Sequence, residues 1–285
     1  KMQTATMDRN VNEKSAFNKQ VDMLPLFAGG ADDVQGAVRR IAAEELGVRE
    51  EEIFGMDLYL YNRMQPSVWG KDGEFLSAPR LDDLQCAYTS FAGFLRGADD
   101  RAVNVFACFD NEEVGSNTKQ GAGSTFLKDV LERINEGLGK TREELRRALA
   151  SSFLVSCDNA HAVHPNHPEK TDQSNCVYMN EGIVIKSHAG QQYTSDAFSI
   201  AVWRGVCERA GVPVQFFANR SDMRGGSTLG NIAMSQVSMN AVDIGLAQLA
   251  MHSSYETAGV RDSEYMIRAV KAFFDSGICE YTLGR

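Results

Sequence analysis

Apolar and polar positions along this chain recur with two periods, and each change of period marks an element. Over residues 31–46, Val34, Ala37, Val38, Ile41 and Leu46 fall on one helical face, with Arg39, Arg40, Glu44 and Glu45 opposite, which predicts an amphipathic helix. Asp32 or Asp33 can cap its start, and Gly47 fits its end. Over residues 53–61 the period drops to two, with Met56, Leu58 and Leu60 alternating with Asp57, Tyr59 and Tyr61, the pattern of a half-buried strand. Pro66, Gly70 and Gly73 place a loop or domain joint at 65–73. Residues 1–30 are polar outside an apolar patch at 23–27. Phe75 and Leu76 open a second apolar segment, and Pro79 ends any ladder there. A helix then starts at Asp82 or Asp83, with Leu84, Tyr88, Phe91, Phe94 and Leu95 as its expected buried face.

Residues 103–109 form a short, nearly unbroken apolar run with β-branched and aromatic members, which suits a buried strand of an α/β sheet. Apolar runs at 153–155, 183–185, 214–217 and 242–249 predict further strands. Helices are expected after Gly121, Ala122 and Gly123, with Phe126, Leu127, Val130, Leu131 and Ile134 inward, then around 142–149, over 195–210 and from Leu229. A last helix has Asp262 as cap and Met266, Ala269, Val270, Phe273 and Phe274 inward. Strand and helix alternate from about residue 75, so the fold class is α/β, a three-layer α/β/α domain.

Chemistry collects where these elements end. The 103–109 run stops at Asp110, Asn111, Glu112 and Glu113, and ligands of open α/β sheets gather at the carboxyl ends of strands. In an extended segment two adjacent Glu diverge, so one can hold a metal while the other faces the reacting water. The same residues also suit a solvated acidic turn. A second acid-tipped strand ends at Asp158, with His161 and His164 close behind and Pro165 to Pro168 enforcing a loop. Two such ends with histidines point to a metal or acid–base site, although each histidine alone also suits a cap or a core. Asp82 suits a helix cap equally. Residues 221–228 make a glycine-rich loop whose N–H groups could hold an anion or a peptide carbonyl, or simply close a tight turn. His252 follows the last predicted strand. Asp82, Glu112, Glu113, Asp158 and His252 together suit a two-metal hydrolase with zinc, manganese or cobalt, in which a spare Glu takes the proton of the water. No Ser/His/Asp arrangement or Walker loop competes with that set.

Composition narrows the partners. The 285 residues are 43% hydrophobic and 24% charged, the balance of a soluble globular protein of one large or two ordinary domains. A net charge of −9 without a basic stripe excludes a nucleic-acid partner. No apolar segment is long enough to span a membrane, and no secretory signal opens the sequence. Cys86, Cys108, Cys157, Cys176, Cys207 and Cys279 are scattered without a C-x-x-C pair, which reads as reduced, packed thiols of a cytoplasmic protein. The opening KMQTATMDRNVNEKSAF reads as a chain entered partway.

The segment FDNEEVGS-x-x-x-QGA at 109–122, Asp158 to Asn166, Arg80-Leu81-Asp82, Ser221-Asp222 with Gly225 to Gly230, and Gln248 to His252 together resemble the aspartyl aminopeptidase family of dizinc exopeptidases. The likeness runs in family order from about residue 5 to the C-terminus. It implies that Asp82 bridges two divalent ions (zinc, with manganese or cobalt as alternatives), that Glu113 and His252 complete one, that Asp158 serves the other, and that Glu112 is the general base. It implies a substrate pocket lined by Lys186, Asp222, Gly225, Gly226, His161 and His164, where the lysine suits an acidic side chain. The implied fold is an α/β/α peptidase domain with a mixed sheet, interrupted by a β-rich dimerisation domain. Residues 1–68 would be the rear of the dimerisation domain and 69–285 the metallopeptidase domain, in homodimers that build a dodecamer. The implied activity is removal of N-terminal Asp or Glu from peptides. The alternatives are an inactive shell homologue, or an aminopeptidase for neutral residues such as a vacuolar branch of the family prefers. The family's remaining zinc ligand, a His in an upstream His-Thr-Asp-Ser-Pro-like segment, has no match here, so the sequence is read as lacking the family's N-terminal portion. Thr6 stands where the family has a His reaching the partner subunit's site, and Arg224 adds positive charge near the pocket.

Overall fold

The structure, a computed structural model, describes residues 16, 18–30, 33–223 and 225–278. The chain divides into two compact units, one up to Leu60 and one from Tyr61. The first holds α1 (Lys19–Asp22) and α2 (Val34–Leu46). Asp33 caps α2 by accepting the Gly36 N–H at 2.8 Å, and Gly47 closes it at φ 66°, where the missing Cβ removes the strain. The alternation at 53–61 does not become a strand. Ile53 is buried, but Phe54 is 97% exposed and the apolar side chains beyond it also face out. A strand needs a ladder neighbour, and none pairs with this segment among the described residues.

The second unit begins with β1 (Ser67–Trp69), inside the expected loop, and β2 (Phe75–Ala78), followed by α3 (Leu81–Arg96). Then come α4 (Phe126–Gly137), α5 (Arg142–Ser151), β3 (Phe153–Cys157), β4 (Ala160–His161), β5 (Ile183–Ser187), α6 (Ala197–Ala210) and β6 (Val214–Ala218). It closes with α7 (Leu229–Ala233), β7 (Asn240–Gly245), β8 (Ala247–Leu249), β9 (Glu256–Gly259) and α8 (Val260–Phe274). One mixed sheet has the order β3-β7-β5-β6, and a second has β1-β2-β9-β8-β4. The expected strand at 242–249 is therefore two strands. The chain leaves the first sheet at Gly245 and enters the second at Ala247. Gly245 is required there, since a Cβ would lie 2.0 Å from the Asp158 carbonyl oxygen. The pair β3 and β4 makes the same passage alongside it.

Ile183, Ile185, Val242 and Ile244 of the first sheet pack with Trp203 and Val206 of α6 and Met266 and Val270 of α8. α3 crosses α8 so closely that a Cβ on Gly93 would lie 2.7 Å from the Val270 Cβ. Gly93→Leu should cost about 2 kcal/mol or more through overpacking. A thermal melt reads this, and an unchanged midpoint would contradict the crossing.

This crossing displaces the expected face of α3, from which Phe94 still turns inward onto Phe274 of α8. Leu84 is 58% exposed, and Tyr88, Phe91 and Leu95 are exposed with it. Leu81, Gln85, Cys86, Thr89, Ser90 and Gly93 are buried instead. Small side chains allow the approach. The Thr89 and Ser90 hydroxyls donate to the Gln85 and Cys86 carbonyls of their own helix at 2.7 and 2.6 Å, so burying them strands no polar group. The 103–109 run also departs from expectation. It has no regular secondary structure and joins no ladder among the described residues, and Phe106 packs on Phe91 with ring centroids 5.2 Å apart. Asp262 does not cap α8. It is buried and accepts the N–H groups of Asn180 and Gly182 at 2.6 and 3.0 Å, which ties the loop before β5 to α8. Burial pushes its carboxyl up to about 7.

Cys86, Cys108, Cys157, Cys176 and Cys207 are all free, and Cys108 is exposed rather than packed. No helix among the described residues is long and apolar enough to cross a membrane. Asp32, Cys279, Thr6 and Arg224 lie outside the described residues.

Candidate metal centre

The two sheets part at the break between β3 and β4, and Asp158 sits in that break. Its N–H still donates to the Ile244 carbonyl at 3.0 Å, so its side chain leaves from the carboxyl end of β3. Asp82 stands in the first turn of α3 with non-helical φ −82° and ψ 111°. It does not act as the cap: the capping position is Arg80, which makes no side-chain capping bond. Glu112 and Glu113 lie on a single 3₁₀ turn, Glu112–Val114, rather than on an extended segment. Asn111 at φ 61° enters that turn and Gly115 at φ 99° closes it. His252 occupies the tight turn between β8 and β9 at φ 65°.

Four separate elements thus deliver their side chains to one place. The His252 Nε2 lies 3.0 Å from the Asp82 Oδ2 and 3.2 Å from the Glu113 Oε1. Carboxylate oxygens of Asp82, Asp83 and Asp158 form a second cluster, with all ligand atoms within 4.8 Å of one another. Asp82 belongs to both clusters. Asp83 was not expected from sequence. It is half-buried, and its Oδ1 accepts the Asn159 N–H at 3.2 Å. Burial, then the neighbouring Asp158 and Glu113, push the Asp82 carboxyl up to about 8. Burial and the same two neighbours push Glu112 up to about 7. Crowded, desolvated carboxylates with one imidazole are a donor set for a divalent cation, and oxygen with imidazole nitrogen suits zinc, manganese or cobalt.

Lys186 is 2% exposed and donates to the Asp158 Oδ2 at 2.9 Å and to the Asn159 carbonyl at 3.1 Å. Burial opposes its charge, but Asp158 beside it holds the ammonium above its ordinary range. The Thr228 hydroxyl donates to the same Asp158 oxygen at 2.8 Å. Asp158 is therefore positioned by a lysine and a threonine that the sequence spacing does not connect to it.

A cavity of about 710 Å³ opens over the centre, lined by Asp82, Glu112, Glu113, Asp158, Lys186 and His252. His161, His164, Gly225 and Gly226 also face it. Gly225 is held close to Asn219, whose Nδ2 a Cβ would approach to 2.1 Å, while Gly226 borders open space. Asp222 does not line the cavity. It is exposed and pairs with Arg220 at 2.6 Å, and Arg220 lines the cavity in its place.

Over residues 4–274 the sequence matches the family model described as Aminopeptidase I zinc metalloprotease (M18). The chain belongs to the M18 aminopeptidase family. It is 45% identical over 271 residues to a probable M18 family aminopeptidase 2 of Clostridium novyi, an alignment covering 94% of this chain and 63% of that protein. The fold resembles an M18 aminopeptidase from Thermotoga maritima, with TM-score 0.77, 26% identity and coverage of 88% of this chain and 57% of the other. It likewise resembles the mApe1 dodecamer of S. cerevisiae, with TM-score 0.75, 28% identity and coverage of 87% and 56%. The mixed α/β architecture is that of the M18 peptidases. The chain spans 63% of the length of the Clostridium relative.

Proposed function

We propose that this M18 chain acts as a metal-dependent aminopeptidase that removes acidic residues from peptide N-termini. The observation that carries the reading is the sharing of Asp82 between the His252–Glu113 cluster and the Asp158 cluster, beneath one cavity. Asp82, Glu113 and His252 would hold one divalent ion, and Asp82 with Asp158 a second. Bound zinc of this kind lowers the pKa of water toward neutrality and polarises a carbonyl. Glu112 lines the same cavity and belongs to neither cluster, so its carboxylate is available to take a proton from water and return it to the leaving amine. Lys186 uses two of its three N–H donors on Asp158 and Asn159, which leaves one for a substrate carboxylate.

The remaining expectations join this proposal. Residues 1–68 would serve as the rear of a dimerisation domain and 69–285 as the peptidase domain. Self-assembly to a dodecamer is supported by the structural likeness to the mApe1 dodecamer. Free cysteines suit a reducing compartment such as the cytoplasm. A second reading, preference for neutral residues, is favoured by the Lys186–Asp158 pair, which compensates the lysine's charge. Initial rates on aspartyl-, glutamyl- and leucyl-anilides test the choice. The proposal expects kcat/KM for the acidic substrates to exceed that for leucyl by about tenfold or more, from one charge-assisted hydrogen bond. A leucyl preference would select the second reading, and zinc-loaded protein without turnover would select an inactive shell.

Lys186→Met sharpens the test, because its two effects separate. Loosening of Asp158 slows every substrate alike, whereas loss of the ammonium in the cavity penalises acidic substrates only. The aspartyl-to-leucyl ratio of kcat/KM should fall about tenfold or more. An unchanged ratio would mean that Lys186 acts only through Asp158.

A further inference from the structure

Glu256 is an acid in the first position of β9, 2% exposed, and outside both metal-ligand clusters of the described residues. It does not line the cavity. Both of its oxygens are engaged. Oε2 accepts the Asp82 N–H at 2.9 Å, and Oε1 accepts the His252 N–H at 2.7 Å. These two N–H groups belong to the turns that carry two of the three groups in the His252 cluster. Neither has a partner in regular structure. Asp82 departs from helical geometry at the start of α3, and His252 is held at φ 65°, a region that side-chain-bearing residues disfavour.

The position of Glu256 follows from the sheet. It pairs with Ala78, the last residue of β2, just before the chain turns into Asp82. It also lies four residues after His252, across the β8–β9 turn. One side chain at this register reaches both turns. We infer that Glu256 is a positioning residue: its carboxylate clamps the backbones of Asp82 and His252 together and so fixes the 3.0 Å approach of their ligand atoms. The inference rests on the reading of Asp82 and His252 as metal ligands.

The test uses Glu256→Gln and Glu256→Asp in the purified protein. Gln keeps the shape but presents an amide donor to one of the two N–H groups. Asp keeps the charge but is too short to span both. Three quantities are measured: melting of the metal-free protein, zinc affinity by competition with a chromophoric chelator, and the visible bands of the cobalt(II)-loaded form. Both variants should retain a cooperative melt, bind zinc about tenfold or more weakly, and shift the cobalt bands. Zinc affinity within twofold of the parent, with superimposable cobalt bands, would overturn the clamp. Amide hydrogen exchange in the unaltered protein gives a check that needs no variant. The Asp82 and His252 amides should exchange slowly, and exchange at the rate of an open chain would overturn the inference. Asp82→Ala and His252→Ala separate the two layers of argument. If they lose zinc while the Glu256 variants keep it, the clamp alone fails. If they too keep it, the metal reading fails and takes the clamp with it.

Discussion

Glu112→Gln is expected to lower kcat about 10³-fold while zinc content and KM stay near those of the parent. Glu112 and Gln have the same shape, so the cavity wall is preserved and only the proton-accepting oxygen is lost. The residue lies on the 3₁₀ turn beside Glu113, yet the two face different tasks: Glu113 meets His252, and Glu112 meets neither cluster. In the metal-free protein burial and the neighbouring Asp158 and Glu113 push its carboxyl up to about 7, and bound cations would draw it back toward the carboxylate form that accepts a proton. Steady-state kinetics with metal analysis of the same sample decides the matter. Residual turnover above about a tenth of the parent's would remove Glu112 from the role of base.

Asp82→Asn has the second large effect, and it acts on two quantities in opposite directions. Asp82 is shared by both clusters, so its loss should strip zinc from the centre and bring turnover to background, a fall of about 10³-fold or more. The metal-free protein should become no less stable, and more stable at pH 8. The sign follows from the carboxyl, ordinarily at 3.8 and raised by burial and neighbouring acids to about 8. Well below pH 4 it is protonated in both folded and unfolded chains. As the pH climbs toward 8, the unfolded chain releases a proton that the fold retains, so stability drains away across that window. Asn carries no such proton and removes the part of the slope that Asp82 contributes. Melting curves of metal-free parent and variant at pH 5 and pH 8 read it. A variant that melts lower than the parent at pH 8 would contradict the crowding of acids at this site.

The sheet was legible where a strand is buried on both faces. Ile183, Val184 and Ile185 needed no partner information, since an unbroken apolar run has few other homes. The runs at 53–61 and 103–109 are also rich in apolar residues but join no ladder among the described residues, because pairing depends on a neighbour that local sequence does not specify. The face of α3 is hard to read from sequence for a related reason. Thr89 and Ser90 look polar, but hydroxyls that bond their own helix can be buried, whereas Leu84 and Tyr88 can stay out. In the centre, Asp82, Glu113 and His252 were legible as acids and a histidine at element ends. Asp83 and Glu256 were not, because one hides behind its neighbour and the other sits inside a strand. The signal for Glu256 was a lone carboxylate among the small residues of β9, opposite Ala78. A charge at such a register calls for two donors, and the turns at Asp82 and His252 provide them.

Everything proposed for this site depends on the centre holding metal and using it. The most direct measurement is release of aniline from an aspartyl-anilide by the purified protein, followed through chelation and titration with zinc, with bound zinc counted per chain. Chelation should abolish turnover, zinc should restore it, and the restored rate should rise with metal bound at sites lost in Asp82→Asn. Turnover that survives removal of the metal, or recovers fully in Asp82→Asn, would contradict that dependence.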